Sequence, residues 1–252
     1  MYKRLLIPFL LVGQLMVLPG PVWGTNQSQP DYAREKRWAE EITPAILVGE
    51  AIYLKQQNGH AFLGILAEHE NGDTAVVVAH GMGLHPDWGL IGVLRQRLYD
   101  FGYTTLSIQM PVLDAQADFD DYPAIFPDAV RRLRIAVKFL KQKGYKNIVL
   151  VSHSNGSRMS RIFMTSHPKA VTAWVAISLT REETFAGVKV PVFDVYGQYD
   201  LPHVLSAVRK RRVSFRWNPR SRQQRIAGAE HFFVGQEEPL IRAIRRYLDE
   251  LR

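Results

Sequence analysis

The chain has no cysteine among its 252 residues. That absence excludes disulfides, zinc–thiolate sites, a lipid-modified cysteine anchor and a cysteine nucleophile. Long hydrophobic runs are also scarce. The N-terminal one, Leu5 to Leu18, is shorter than the roughly 20 residues of a membrane span. Lys3 and Arg4 precede it and Val22-Trp23-Gly24 follows, so residues 1–24 read as a cleaved secretory signal, with an uncleaved anchor as the alternative. The expected location is periplasmic or secreted. No repeat or low-complexity tract divides the remaining chain of about 228 residues, which suffices for one domain with a large core. Residues 25–49 begin polar, carry a short helical pattern from Asp31, and read as an N-terminal arm; 50–252 form the domain.

Two stretches lack charge of one sign. Val112 to Phe126 holds Asp114, Asp118, Asp120 and Asp121 without a base, and reads either as a solvated acidic loop or as an acidic rim. Arg209, Lys210, Arg211, Arg212, Arg216, Arg220, Arg222 and Arg225 follow one another without an acid. Formal charge is +8, or +6 without Lys3 and Arg4. Such a run suits solvated surface first; as a functional feature it suits anionic lipid or envelope polymer through Arg209, Lys210, Arg211 and Arg212 better than nucleic acid.

The pattern between these landmarks alternates strands with helices. Tyr53 to Glu68 reads as a hairpin turning at Asn58-Gly59. Runs near 75–79, 103–109, 147–152, 172–178 and 190–196 are almost continuously apolar, as strands covered on both faces must be. A helix begins near Pro127, lines one face with Val130, Leu133, Val137 and Leu140, and ends by Gly144; a last helix spans Pro239 to Leu251.

The chemistry is concentrated where strands end. Asn147 to Ser157 is an apolar run that stops at Ser154, flanked two residues away by Ser152 and Gly156. This is a strand-to-helix elbow, in which a strained central residue tolerates only small neighbours; Ser154 is the candidate nucleophile. The strict form has glycine at both flanks, and here Ser152 replaces one. The bland alternative is a serine-rich loop capping a helix. Upstream, a strand ends in His80-Gly81-Met82-Gly83, whose glycines let a loop fold back and aim the Met82 N–H at a reacting carbonyl; the Asn155 N–H supplies the second donor. Downstream, Asp200 and His231 each follow a strand, completing the order Ser, Asp, His.

From about Tyr53 onward the chain resembles the α/β-hydrolase-fold serine hydrolases: esterases, lipases, thioesterases and related acyl hydrolases. Its run His80-Gly81-Met82-Gly83-Leu84-His85-Pro86-Asp87-Trp88 resembles that of a group of exported bacterial members. The resemblance implies a mostly parallel sheet with helices on both faces and catalytic roles for Ser154, His231 and Asp200. It also implies an oxyanion hole from Met82 and Asn155, with His80 orienting that loop and Gly81, Gly83 and Gly156 in support. No cofactor and no metal are expected; His85 is a poor metal partner for His80. Only Leu179 to Lys189 is available for a lid, so an uncovered site is expected, open to small-molecule or polymer-attached acyl substrates. His203 rivals His231 as base, and Glu182 or Glu183 rivals Asp200 as acid; His153 reads as packed. The expected activity is ester or thioester hydrolysis through an acyl-enzyme. The rival is a non-catalytic binding or scaffold protein of the cell envelope that keeps the fold.

Overall fold

The computed structural model describes residues 29–70, 72–181 and 183–251; residues 1–24, read as a signal, lie outside them. Eight strands form one sheet: β1 (Glu50–Lys55), β2 (Ala61–Ala67), β3 (Thr74–Ala79), β4 (Thr104–Ile108), β5 (Asn147–His153), β6 (Ala173–Ile177), β7 (Val192–Gly197) and β8 (Arg222–Ile226). Among the described residues six α-helices accompany them: α1 (Tyr32–Ile42), α2 (Gly89–Asp100), α3 (Phe126–Gln142), α4 (Asn155–Ser166), α5 (Pro202–Val213) and α6 (Glu237–Asp249). The spatial order is β1-β2-β4-β3-β5-β6-β7-β8. β2 pairs antiparallel with β1 and β4, and every pairing from β4 to β8 is parallel.

The period-two alternation of side chains along a strand divides the core in two. Ala75, Val77 and Ala79 of β3, Leu150 of β5 and Trp174 of β6 face one layer with α3 and α4. Val76, Val78, Val149, Val151, Val175 and Ile177 face the other, against α2 and α6. Both faces are thus covered, which is why these strands read as unbroken apolar runs. The two edge strands are the exceptions: β1 buries only Leu54, and Arg-Gln-Gln-Arg-Ile of β8 buries only its last residue, a polar composition suited to a sheet edge.

The hairpin turns at Asn58-Gly59 as expected, and the helix expected from Pro127 is α3, with Ala129, Leu133, Ala136, Val137 and Leu140 buried and Val130 only partly so. The segment read as an arm contains α1, capped by Asp31, whose carboxylate accepts the Arg34 N–H at 2.9 Å. Its Ala39 and Ile42 pack on Leu63 and Ile65 of β2, and its Glu35 is buried against the equally buried Arg132 of α3 at 3.0 Å. Among the described residues no helix is long and apolar enough to cross a membrane.

Candidate active site

β5 enters α4 through Ser154, whose φ of 58° and ψ of −127° lie outside the regions non-glycine residues favour. The tightness of the elbow explains its neighbours. A Cβ on Gly156 would sit 2.2 Å from the His80 carbonyl oxygen, and one on Gly81 would meet the Ser154 Cβ at 3.1 Å. Ser152 fits where the strict pattern has glycine because its hydroxyl is used: it accepts the Trp174 indole N–H at 2.8 Å and lies 3.1 Å from Ser157 Oγ. Ser154 retains 9% exposure.

The loop after β8 brings His231 to this point. Its Nε2 lies 2.9 Å from Ser154 Oγ, and its Nδ1 lies 2.6 Å from Asp200 Oδ1. Asp200, on the turn after β7, also accepts the Ser178 hydroxyl at 2.5 Å, the Gly197 N–H at 3.1 Å and the Leu201 N–H at 2.8 Å. Burial raises the Asp200 carboxyl, but the hydrogen bonds from His231, Ser178 and Gly197 outweigh it and hold the group below its usual value. It therefore stays ionised opposite the imidazole N–H, which fixes the tautomer that leaves Nε2 free to accept a proton.

On the other side of Ser154, neither the Met82 nor the Asn155 N–H has a hydrogen-bond partner among the described residues. Gly83, with φ of 67°, turns the chain after Met82. The buried His80 beneath this loop is fully satisfied: Nδ1–H donates to the Gly81 carbonyl at 2.8 Å, and Nε2 accepts the Met110 N–H at 2.9 Å and the Gln109 side-chain amide at 3.0 Å. Burial pushes its pKa down to about 3, so it works as a neutral strut. The same network reaches α1, since Arg132 donates to the Gln109 carbonyl at 3.0 Å and pairs with Glu35.

No family model and no curated relative matches this sequence. Solved structures do match. A lid-less α/β serine hydrolase from Xanthomonas campestris superposes with a TM-score of 0.66 at 15% identity, over 81% of this chain and 95% of that one. A putative α/β hydrolase of unknown function from Agrobacterium tumefaciens gives 0.62 at 17%, over 79% and 94%. An esterase from Pyrococcus furiosus gives 0.65 at 15%, over 80% and 90%. The fold is the α/β-hydrolase fold. Sequence identities of 15–17% carry the architecture.

The rival residues fall elsewhere. His203 lies on the first turn of α5 and makes no contact with Ser154 or Asp200 of the kind His231 makes. Glu183 faces Arg161 at 3.2 Å, and Glu182 is outside the described residues. His153 is buried, its Nε2–H donating to the His231 carbonyl at 2.8 Å; burial lowers its pKa to about 3. It positions the loop that carries His231.

Two charge readings need correction. Arg211 does not belong to an exposed cluster: it is buried, with Nε 2.8 Å from Asp194 Oδ2 and Nη1 3.0 Å from the Val204 carbonyl, while Arg209, Lys210 and Arg212 are exposed. The expected acidic rim is largely self-satisfied. Asp114, Asp118 and Asp121 accept backbone N–H groups of their own loop, and Asp120 pairs with Arg181. Phe119 of this loop instead meets the guanidinium groups of Arg158 and Arg181, at 4.9 and 4.8 Å from its ring centre. The segment between β6 and β7 forms no helix among its described residues. No group of three His, Asp or Glu side chains among the described residues is placed to hold a metal.

Sequence reasoning missed Ser178 and Arg158. Ser178 had no local signal, because its bond to Asp200 joins two strand ends. Arg158 could have been found: it follows Ser154 by one helical turn on α4 and so shares its face.

Proposed function

We propose that the protein is a serine hydrolase that cleaves a carboxylic ester or thioester through an acyl-enzyme. The observation that carries this reading is the continuous chain Ser154 Oγ–His231 Nε2 at 2.9 Å and His231 Nδ1–Asp200 Oδ1 at 2.6 Å, on an elbow whose backbone is strained at the serine alone among its residues. Ser154 attacks the acyl carbonyl as His231 takes its proton. The tetrahedral oxyanion is held by the Met82 and Asn155 N–H groups, each worth about 3 kcal/mol of transition-state stabilisation. His231 returns the proton to the departing alkoxide or thiolate, then activates a water that releases the acid. Asp200 keeps the imidazole oriented and stabilises its cation. The binding-protein alternative predicts the same fold without a need for this alignment.

Export, with residues 1–24 removed, belongs to the same proposal. So does contact of the α5 end with anionic lipid or envelope polymer, now through Arg209, Lys210 and Arg212. These stand on the C-terminal half of α5, the helix that begins just after Asp200.

The test is hydrolysis of short 4-nitrophenyl esters. Wild type should turn over, His231→Ala should fall by about 10⁴ to 10⁶-fold, and His203→Ala should stay far above it. No turnover of any ester or thioester by the folded wild type would favour the binding-protein reading.

A further inference from the structure

The mouth of the site carries more hydrogen-bond donors than the mechanism above uses. Arg158 extends from the first turn of α4 with its side chain 12% exposed. Its Nη1 donates to Asn155 Oδ1 at 3.2 Å, yet its Nε is buried without a hydrogen-bond partner among the described residues. The carboxylate of Glu183 is turned toward Arg161 and lies 3.9 Å from that Nε. The Asn155 side-chain amide nitrogen, next to Ser154 in sequence, is likewise buried and unpartnered, as are His203 Nε2 and Thr180 Oγ1. Three cationic or imidazole groups converge around one ring: Phe119 touches Arg158 and Arg181, and its centroid lies 6.1 Å from that of His203; Asn155 joins them through its bond to Arg158. They also adjoin the triad, since Asn155 directly follows Ser154 and His203 stands three residues after Asp200 on the first turn of α5; burial holds His203 below its ordinary value against the opposing pull of Asp200.

Buried polar atoms are almost always satisfied in native proteins, and a group of orphans at one place asks for a missing partner. Here the orphans include a guanidinium N–H and an amide NH₂, which only donate, and the cations Arg158, Arg161 and Arg181 beside them outnumber the carboxylates of Glu183 and Asp120. A planar oxyanion meets both demands, since Arg binds carboxylate through a rigid fork. We infer that Asn155, Arg158 and His203, with Arg181 at the rim, form a subsite beside Ser154 that receives a carboxylate carried by the substrate, so that the preferred esters are acidic ones. The inference rests on the serine hydrolase reading and narrows its substrate class. It also reverses the preference that an acidic rim would impose.

The probes are the 4-nitrophenyl monoester of glutaric acid and 4-nitrophenyl valerate, which share chain length and leaving group and differ in the terminal carboxylate. A buried hydrogen bond to a charged group corresponds to on the order of tenfold to a hundredfold, and kcat/KM should favour the acidic ester by that ratio. Arg158→Met should bring the ratio close to one, and Arg158→Lys, which keeps the charge without the fork, should fall between. Arg245→Gln, an exposed residue of α6 paired with Asp249, should leave it unchanged. Thermal unfolding checks that each variant is folded; if Arg158→Met is not, the Lys variant and the titration below decide.

Calorimetric titration of the Ser154→Ala variant with monomethyl glutarate supplies a reading independent of turnover. Binding should be detectable and should weaken at least tenfold when Arg158→Lys is added. Hydrolysis of valerate with no preference for the acidic ester, or a preference that survives Arg158→Met, overturns the subsite and leaves the hydrolase reading standing. Binding of monomethyl glutarate without hydrolysis of either ester would support the subsite and refute the hydrolase reading.

Discussion

Replacing Arg211 with glutamine should damage the protein far more than replacing its neighbour Arg212. The Arg211 and Asp194 side chains are both fully buried and 2.8 Å apart. Asp194 Oδ2 also accepts the Gln223 amide at 2.8 Å, and Arg211 donates to the Val204 carbonyl at 3.0 Å. Burial already pushes the Asp194 carboxyl upward against the pull of Arg211. Without the guanidinium, only Gln223 faces a carboxylate in the core. Breaking a buried pair by removing one partner costs about 3–5 kcal/mol. For a domain of this size each kcal/mol lowers Tm by roughly 2–4 °C, so Arg211→Gln should lose on the order of 6–20 °C. Arg212→Gln, on the exposed side of α5, should stay within about 0.5 kcal/mol of wild type. Because the penalty is the orphaned charge, Asp194→Leu combined with Arg211→Met should recover much of the loss. Urea and thermal unfolding followed by circular dichroism measure all four proteins. Equal stabilities for Arg211→Gln and Arg212→Gln would refute the buried pair and return Arg211 to the surface.

Acid should destabilise the fold through its neutral histidines. His80 and His153 have native pKa values of about 3 against an unfolded value near 6.5, so below about pH 6.5 the unfolded chain binds protons that the native state refuses. Stability should therefore fall as pH drops from about 6.5 toward 3, by up to about 1.4 kcal/mol per pH unit for each histidine, and a flat profile between pH 6 and 4 would contradict this. Depression of the Asp200 carboxyl adds stability that is present above its unfolded value and disappears as pH falls through the folded one. Gly156→Ala should lose roughly 1–3 kcal/mol or more, because its Cβ would stand 2.2 Å from the His80 carbonyl; ester turnover should drop with it as the Met82 loop is displaced, and a stable, fully active variant would show that the elbow is looser than described. Glutamine at Arg209, Lys210 and Arg212 together should weaken binding to anionic vesicles on the order of a hundredfold at low salt, at about 1 kcal/mol per base; unchanged binding would assign the cluster to ordinary solvated surface.

Much of the architecture was legible because single residues had few alternatives. Strands covered on both faces must be apolar throughout, so β3, β5 and β6 announce themselves, and the elbow admits only small residues beside Ser154. What escaped depends on contacts between distant segments. Arg211 looked like one base in a run, yet Val204, Ala207 and Arg211 recur at helical spacing and are the buried residues of α5. Asp194 in the apolar run of β7 was the matching sign that a buried cation was needed. The role of α1 was harder to foresee. Its Glu35 reaches Arg132, and through Gln109 the loop under Met82, by pairings whose partners lie far apart in sequence. Composition alone left the acidic loop open between a solvated loop and a rim, because the partners of its carboxylates, its own backbone and Arg181, appear only in the folded chain.

The proposed hydrolysis depends above all on activation of Ser154 by His231. A fluorophosphonate reacts only with a serine so activated, and peptide mass spectrometry locates the adduct. The account predicts stoichiometric labelling at Ser154 in the wild type, none in Ser154→Ala, and a large loss of rate in His231→Ala. An adduct at Ser152 or Ser157, or no adduct on the folded wild type, would contradict it.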